Sequence, residues 1–113
     1  MFDSILVVCT GNICRSPIGE RLLRRMLPEK KIDSAGTGAL VGHHADDKAI
    51  KIAAYHCLTL EGHEGRQLTS ALGREYDLIL VMERKHIEQV DRILPGSRGK
   101  TMLFAHWSLS LIH

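Results

Sequence analysis

Residues 4–9, "SILVVC", form a continuous apolar run that ends in a Gly-Asn turn at Gly11 and Asn12. Such a run predicts a strand buried on both faces, as in a parallel sheet. Ser16 and Pro17 then predict a helix start, with serine at the N-cap and proline at the first helical position. Ile18, Leu22, Leu23 and Met26 follow at helical spacing, arginines occupy the other face, and Pro28 closes the helix. "KIDSAG" (residues 31–36) predicts a second strand, and the glycine-rich residues 37–44 a loop. Residues 45–57 predict a helix whose apolar face is Ile50, Ala53, Ala54 and Cys57. Gly62 and Gly65 bracket a turn around His63, and residues 66–72 predict a short helix. "YDLILVM" (residues 76–82) repeats the buried-strand pattern. Residues 85–94 carry Ile87, Val90 and Leu94 on one side of a helix stopped by Pro95 and Gly96, and "KTMLF" (residues 100–104) predicts a last strand.

Strands alternating with helices imply right-handed crossovers and a parallel sheet covered on both faces. The expected fold is a three-layer α/β/α domain, residues 1–113, around a four-stranded parallel sheet. In such sheets ligands bind beyond the carboxyl ends of the strands. The segment from Cys9 to Ser16 lies at such an end.

Composition adds limits. A chain of 113 residues with 44% hydrophobic and 25% charged residues has an ordinary globular balance. A net charge of +2 argues for neither nucleic acid nor an anionic membrane as partner, and leaves room for a local anion site. No basic leader precedes the first apolar run, and no run approaches the roughly 20 apolar residues that span a bilayer. A cytoplasmic protein is expected. Three cysteines, Cys9, Cys14 and Cys57, do not suggest a disulfide framework in that setting. Cys57 is expected to be a core thiol. The adjacent His43 and His44 have no further ligand at convincing metal spacing, so neither a metal nor another cofactor is expected.

The candidate chemistry lies in "CTGNICRSP" (residues 9–17). A strand leads into a helix N-terminus, where free backbone N–H groups and the helix dipole favour an anion. Gly11 and Asn12 tolerate the left-handed conformations that a concave amide nest requires. Arg15 brings a planar fork of donors suited to a tetrahedral oxyanion. The loop residues Cys9, Thr10, Gly11, Asn12, Ile13, Cys14 and Arg15 therefore form a phosphate-sized site. The same positive surroundings favour a thiolate at Cys9, a nucleophile aimed at phosphorus.

These residues resemble the signature of the low-molecular-weight protein tyrosine phosphatases. The similarity continues through "SAGTGALVG", "LEGHEGRQLT", "YDLILVMERKHI" and "RGKTMLFAHW", nearly the whole chain. It is strongest to bacterial members that act beside tyrosine autokinases in capsule or exopolysaccharide production. The resemblance implies Cys9 as nucleophile, Arg15 as phosphate-binding arginine and Ser16 as the hydroxyl that stabilises the thiolate. It implies a loop-supporting network of Asn12, Ser16, Ser34 and His63, and a substrate-selecting rim at Leu40, His43 and His44. Cys14 stands where the family places a redox partner for the nucleophile; a small apolar filler is the alternative. Trp107 caps the pocket or packs.

The chain ends at His113. The resemblance implies an Asp-Pro-Tyr-type loop and a final helix after "HW", and neither is present in this sequence. The aspartate of that loop is the family's general acid. Its absence implies slow turnover, and the absent helix implies exposed apolar sheet surface, reduced solubility or self-association. Asp46 and Asp47 are better read as a solvated helix start than as a replacement acid. Two further readings stand beside a phosphatase: a non-catalytic module binding phosphotyrosine or an oxyanion and, more weakly, a thiol-dependent arsenate reductase.

Overall fold

A computed structural model describes residues 2–104, so the expectations for Trp107 and for the tail lie outside the described residues. Four parallel strands, β1 (Ser4–Cys9), β2 (Lys31–Gly36), β3 (Leu78–Val81) and β4 (Thr101–Leu103), form one sheet in the order β2-β1-β3-β4. All six residues of β1 are buried, as a continuous apolar run requires of a central strand. The helices are α1 (Arg15–Met26), α2 (Asp47–Tyr55), α3 (Ser70–Arg74) and α4 (Lys85–Ile93), with a 3-10 turn at Ser97–Lys100 before β4.

Alternation along β1 divides the core. Ile5, Val7 and Cys9 point to the α1 side, where Leu23, Ile32, Met82 and Phe104 join them. Leu6 and Val8 point to the opposite side, with Tyr76, Ile79, Val90 and Leu94. A third cluster locks α2 onto α1 through Ile18, Leu22, Ala49 and Ala53. The result is the expected three-layer α/β/α arrangement. β1 is followed on one side by β2 and on the other by β3, so the strand order reverses there. The crevice beyond Cys9 is the topological switch point, where this class of sheet binds ligands.

Five local expectations need correction. Ser16 is not the N-cap: α1 begins at Arg15 after Cys14, with no side-chain cap, and Ser16 and Pro17 are buried in its first turn. Met26 is 47% exposed, and Leu23 and Leu27 pack against the sheet in its place. Ala49 and Ala53 form the inward face of α2, continued by Ala45 just before its cap, whereas Ile50 and Ala54 are exposed. Small side chains let α2 approach α1 closely. Cys57 lies past the end of α2, exposed and with φ of 60°, so it is a turn residue and not a core thiol. The short helix runs over Ser70–Arg74; the residues before it are extended, with Gln67 bridging Gly36 beside β2.

Candidate active site

The loop between β1 and α1 owes its shape to its carbonyls. The Cys9 carbonyl accepts from Thr37 N–H (2.9 Å), Thr10 from Gly38 (3.0 Å), Gly11 from Leu40 (3.0 Å) and Ile13 from Asp46 (2.8 Å). The Asn12 carbonyl accepts from His63 Nε2 at 2.5 Å. Five successive carbonyls thus face the surrounding segments. A planar trans peptide places its N–H opposite its carbonyl. The loop amides therefore turn inward, toward a pocket of about 270 Å³ lined by Cys9, Thr10, Gly11, Ile13, Cys14 and Arg15. The uncapped N-terminus of α1 opens at the same place. Inward amides and an uncapped helix end together make a site for an anion.

Asn12 is the keystone of this loop. It is fully buried, with φ of 58°, a conformation that asparagine adopts at lower cost than most residues. Its Oδ1 accepts from the Arg66 backbone N–H at 2.8 Å, which orients the amide. Its Nδ2 then donates to Ser16 Oγ at 2.8 Å. Because that oxygen is accepting, the Ser16 hydroxyl hydrogen is free to donate to Cys9 Sγ, 2.8 Å away. The Asn12 backbone N–H donates to the same sulfur at 3.3 Å. Cys9, 4% exposed at the floor of the pocket, thus has two donors aimed at its sulfur. Donors of this kind favour the anionic form of an acceptor.

Arg15, at the first position of α1, lines the pocket and pairs with Glu83, two residues past the end of β3. The hydrogen bond from Arg15 is the first cause of a Glu83 carboxyl held below its usual range; burial opposes it. Cys14 is exposed, and its thiol is pushed upward, first by partial burial, then by the negative charges of Asp46 and Cys9, against Arg15. All three cysteines are free thiols in this structure.

The structure brings Asn12, Ser16 and His63 to the loop but gives Ser34 another task. Ser34 is buried and donates to Glu20 Oε1 at 2.8 Å, one helical turn beyond Ser16. It anchors α1 to β2, and no hydrogen bond joins it to residues 9–15. Leu40, His43 and His44 are exposed on the segment that pairs with the loop. Asp46 caps α2, accepting from Lys48 N–H at 3.1 Å, and Asp47 follows in its first turn. Among the described residues no group of three or more His, Cys, Asp or Glu side chains could hold a metal ion.

Three residues escaped the reading of the sequence. Glu20 is 5% exposed and takes hydrogen bonds from both Ser34 and Arg21. Glu83 follows the β3 apolar run, so the rule that sites form at strand carboxyl ends could have found it. His86 is fully buried and reaches Thr10; its spacing to Val90 and Leu94 on the inward face of α4 was the available signal.

Gly36 gives a first prediction. A Cβ there would overlap the Thr10 carbonyl oxygen and crowd Asn12 Cβ at 3.1 Å. Neither can retreat without moving the loop. Gly36→Ala is expected to cost about 3 kcal/mol, the upper range of overpacking, read as a fall in the urea midpoint together with loss of phosphate binding.

Comparison with known proteins agrees with this geometry. The family model described as low molecular weight phosphotyrosine protein phosphatase matches residues 4–111. The low molecular weight protein-tyrosine-phosphatase Etp of Escherichia coli (strain K12) is 63% identical over 106 residues, covering 94% of this chain and 72% of that protein. The crystal structure of the tyrosine phosphatase Wzb from Escherichia coli K30 in complex with sulphate superposes with a TM-score of 0.91 at 69% identity, over 95% of this chain and 75% of that one. Vibrio vulnificus Wzb in complex with benzylphosphonate gives 0.90 at 54% identity, over 95% and 76%. The chain belongs to the low molecular weight phosphotyrosine protein phosphatase family.

Proposed function

We propose that this protein hydrolyses phosphotyrosine in proteins through a phospho-cysteine intermediate, in a cytoplasmic setting where its thiols stay reduced. The observation that carries the reading is the donor chain from Asn12 through Ser16 to Cys9 at the floor of an amide-lined pocket. Sulphate in one relative and benzylphosphonate in another support the pocket as an oxyanion site that accepts an aromatic group beyond the anion. The motif resemblance supplies the partner, a bacterial tyrosine autokinase of capsule or exopolysaccharide production.

The chemistry follows from the geometry. Cys9 Sγ attacks phosphorus in line, the S–P bond forms and the P–O bond to the tyrosine ring breaks. The loop amides and Arg15 hold the three equatorial oxygens, where charge resides in the transition state. The departing phenolate takes its proton from the surroundings. Water then attacks the phospho-cysteine, releasing inorganic phosphate and returning the thiolate to the Ser16 hydroxyl. Cys14 serves as redox partner to Cys9: once a peroxide has oxidised Cys9 to the sulfenic acid, the Cys14 thiol condenses with it to a disulfide, releasing water and shielding the nucleophile from further oxidation.

Side-by-side hydrolysis of p-nitrophenyl phosphate and of a phosphotyrosine peptide tests the reading. Turnover of both substrates, abolished by Cys9→Ser, is the expected result. A group that protonates the leaving oxygen is worth about 10²–10⁴-fold, mainly for the more basic leaving group, so a peptide rate lower by that factor would show that none acts. Equal rates would show that such a group protonates the phenolate. Phosphate binding with no turnover of either substrate would favour the oxyanion-binding module.

A further inference from the structure

His86, the second residue of α4, is fully buried, and both of its ring nitrogens are engaged. The Glu83 backbone N–H donates to Nδ1 at 3.1 Å. A ring nitrogen that accepts carries no proton, so in the neutral ring Nε2–H donates to Thr10 Oγ1, 3.0 Å away. The Glu83 bond has the form of a capping box, in which a side chain three residues on reaches back to a backbone N–H. Its far side holds the residue next to the nucleophile.

The geometry points to His86 as a positioning residue that joins the two ends of the phosphate loop, Thr10 directly and Arg15 through Glu83. This inference rests on the phosphatase reading. Thr10 follows Cys9, and its side chain is tied to α4 by this one ring. Glu83, whose backbone the ring holds, carries the carboxylate that pairs with Arg15. The loop is thus gripped from the β3–α4 side as well as by residues 37–46 and His63.

The grip works only while the ring is neutral. Burial lowers the His86 pKa; Glu83 opposes this, while Arg15 and Lys85 add to it. These three are the charged groups that face the ring, from the strand end, the loop and α4 itself. A doubly protonated ring has no acceptor left for the Glu83 N–H. Loop order contributed by His86 is therefore complete at neutral pH and is lost as pH falls below the ordinary histidine range.

The test compares Thr10→Val, His86→Leu and His86→Gln in the 113-residue chain. It reads kcat/KM for p-nitrophenyl phosphate across pH and the Kd of inorganic phosphate. Glutamine can accept and donate through one amide and is the favoured partner in a capping box. Thr10→Val and His86→Leu are each expected to lower kcat/KM by about tenfold, the scale of one lost hydrogen bond that leaves a buried partner unpaired. His86→Gln should stay within about threefold of the parent at neutral pH and lose activity less steeply on acidification. Thr10→Val alters an exposed residue, so it decides the matter if His86→Leu does not fold. An unchanged pH profile and phosphate Kd in Thr10→Val overturn the inference. So does a His86→Gln variant as impaired as His86→Leu, which would reduce His86 to core packing. If the parent binds phosphate without hydrolysing the ester, the phosphatase reading falls alone. The positioning role then stands on a Kd about tenfold weaker in Thr10→Val and falls if that Kd is unchanged. A parent that binds no phosphate overturns both.

Discussion

Cys9→Ser is expected to reduce hydrolysis of p-nitrophenyl phosphate by about 10⁵-fold or more, the scale of losing a covalent nucleophile. Phosphate binding should persist or tighten. The amides that receive the anion belong to the backbone, and their inward direction is set by the carbonyl bonds to Thr37, Gly38, Leu40, Asp46 and His63, none of which involves the sulfur. The Ser16 hydroxyl and the Asn12 N–H can donate to a serine oxygen as they do to Sγ. Replacing an anionic sulfur with a neutral hydroxyl also removes its repulsion of the phosphate. Rate and affinity should thus part company, with turnover measured spectrophotometrically and the phosphate Kd by calorimetry. A variant that keeps a tenth of the activity would exclude Cys9 as nucleophile. One that loses phosphate binding along with turnover would make the sulfur part of the loop's framework instead.

What could be read from the chain depended on how local each cause is. β1 is legible because every one of its six residues is buried, so no polar position interrupts the run. The loop's chemistry is legible because Cys9, Gly11, Asn12 and Arg15 each contribute a property of their own residue type. The face of α2 is not, because apolar residues at Ala45, Ala49, Ile50, Ile52, Ala53 and Ala54 point in several directions. Only the close approach of α1 selects the alanine row over Ile50. Ser16 shows local preference yielding to tertiary demand: a Ser-Pro pair suits a cap, yet its hydroxyl is drawn to a buried sulfur and a buried amide. Ser34 has the right burial for a loop support but a nearer partner in Glu20. Glu83 and His86 reach the loop from 68 and 76 residues away, a placement no local pattern announces.

Arg15→Lys is expected to lower kcat by about 10³-fold, with a smaller change in phosphate affinity and almost none in stability. The guanidinium is a rigid fork with five N–H donors, so it can keep one on Glu83 and turn others to two phosphate oxygens at once. A lysine offers a point charge, which still attracts the ground-state dianion but cannot follow the oxygens as they flatten toward the transition state. Transition-state arginines in phosphoryl transfer are worth about 10³–10⁵-fold, and lysine recovers part of the charge term. Stability separates this account from a structural one. The Arg15–Glu83 pair is about one-third exposed, at 34% and 39%. At that exposure an ion pair contributes about 1 kcal/mol or less. The urea midpoint should hardly move while kcat collapses. If midpoint and kcat fall together, Arg15 acts by tethering α1 to the end of β3. If kcat is spared, the loop amides alone carry the transition-state charge.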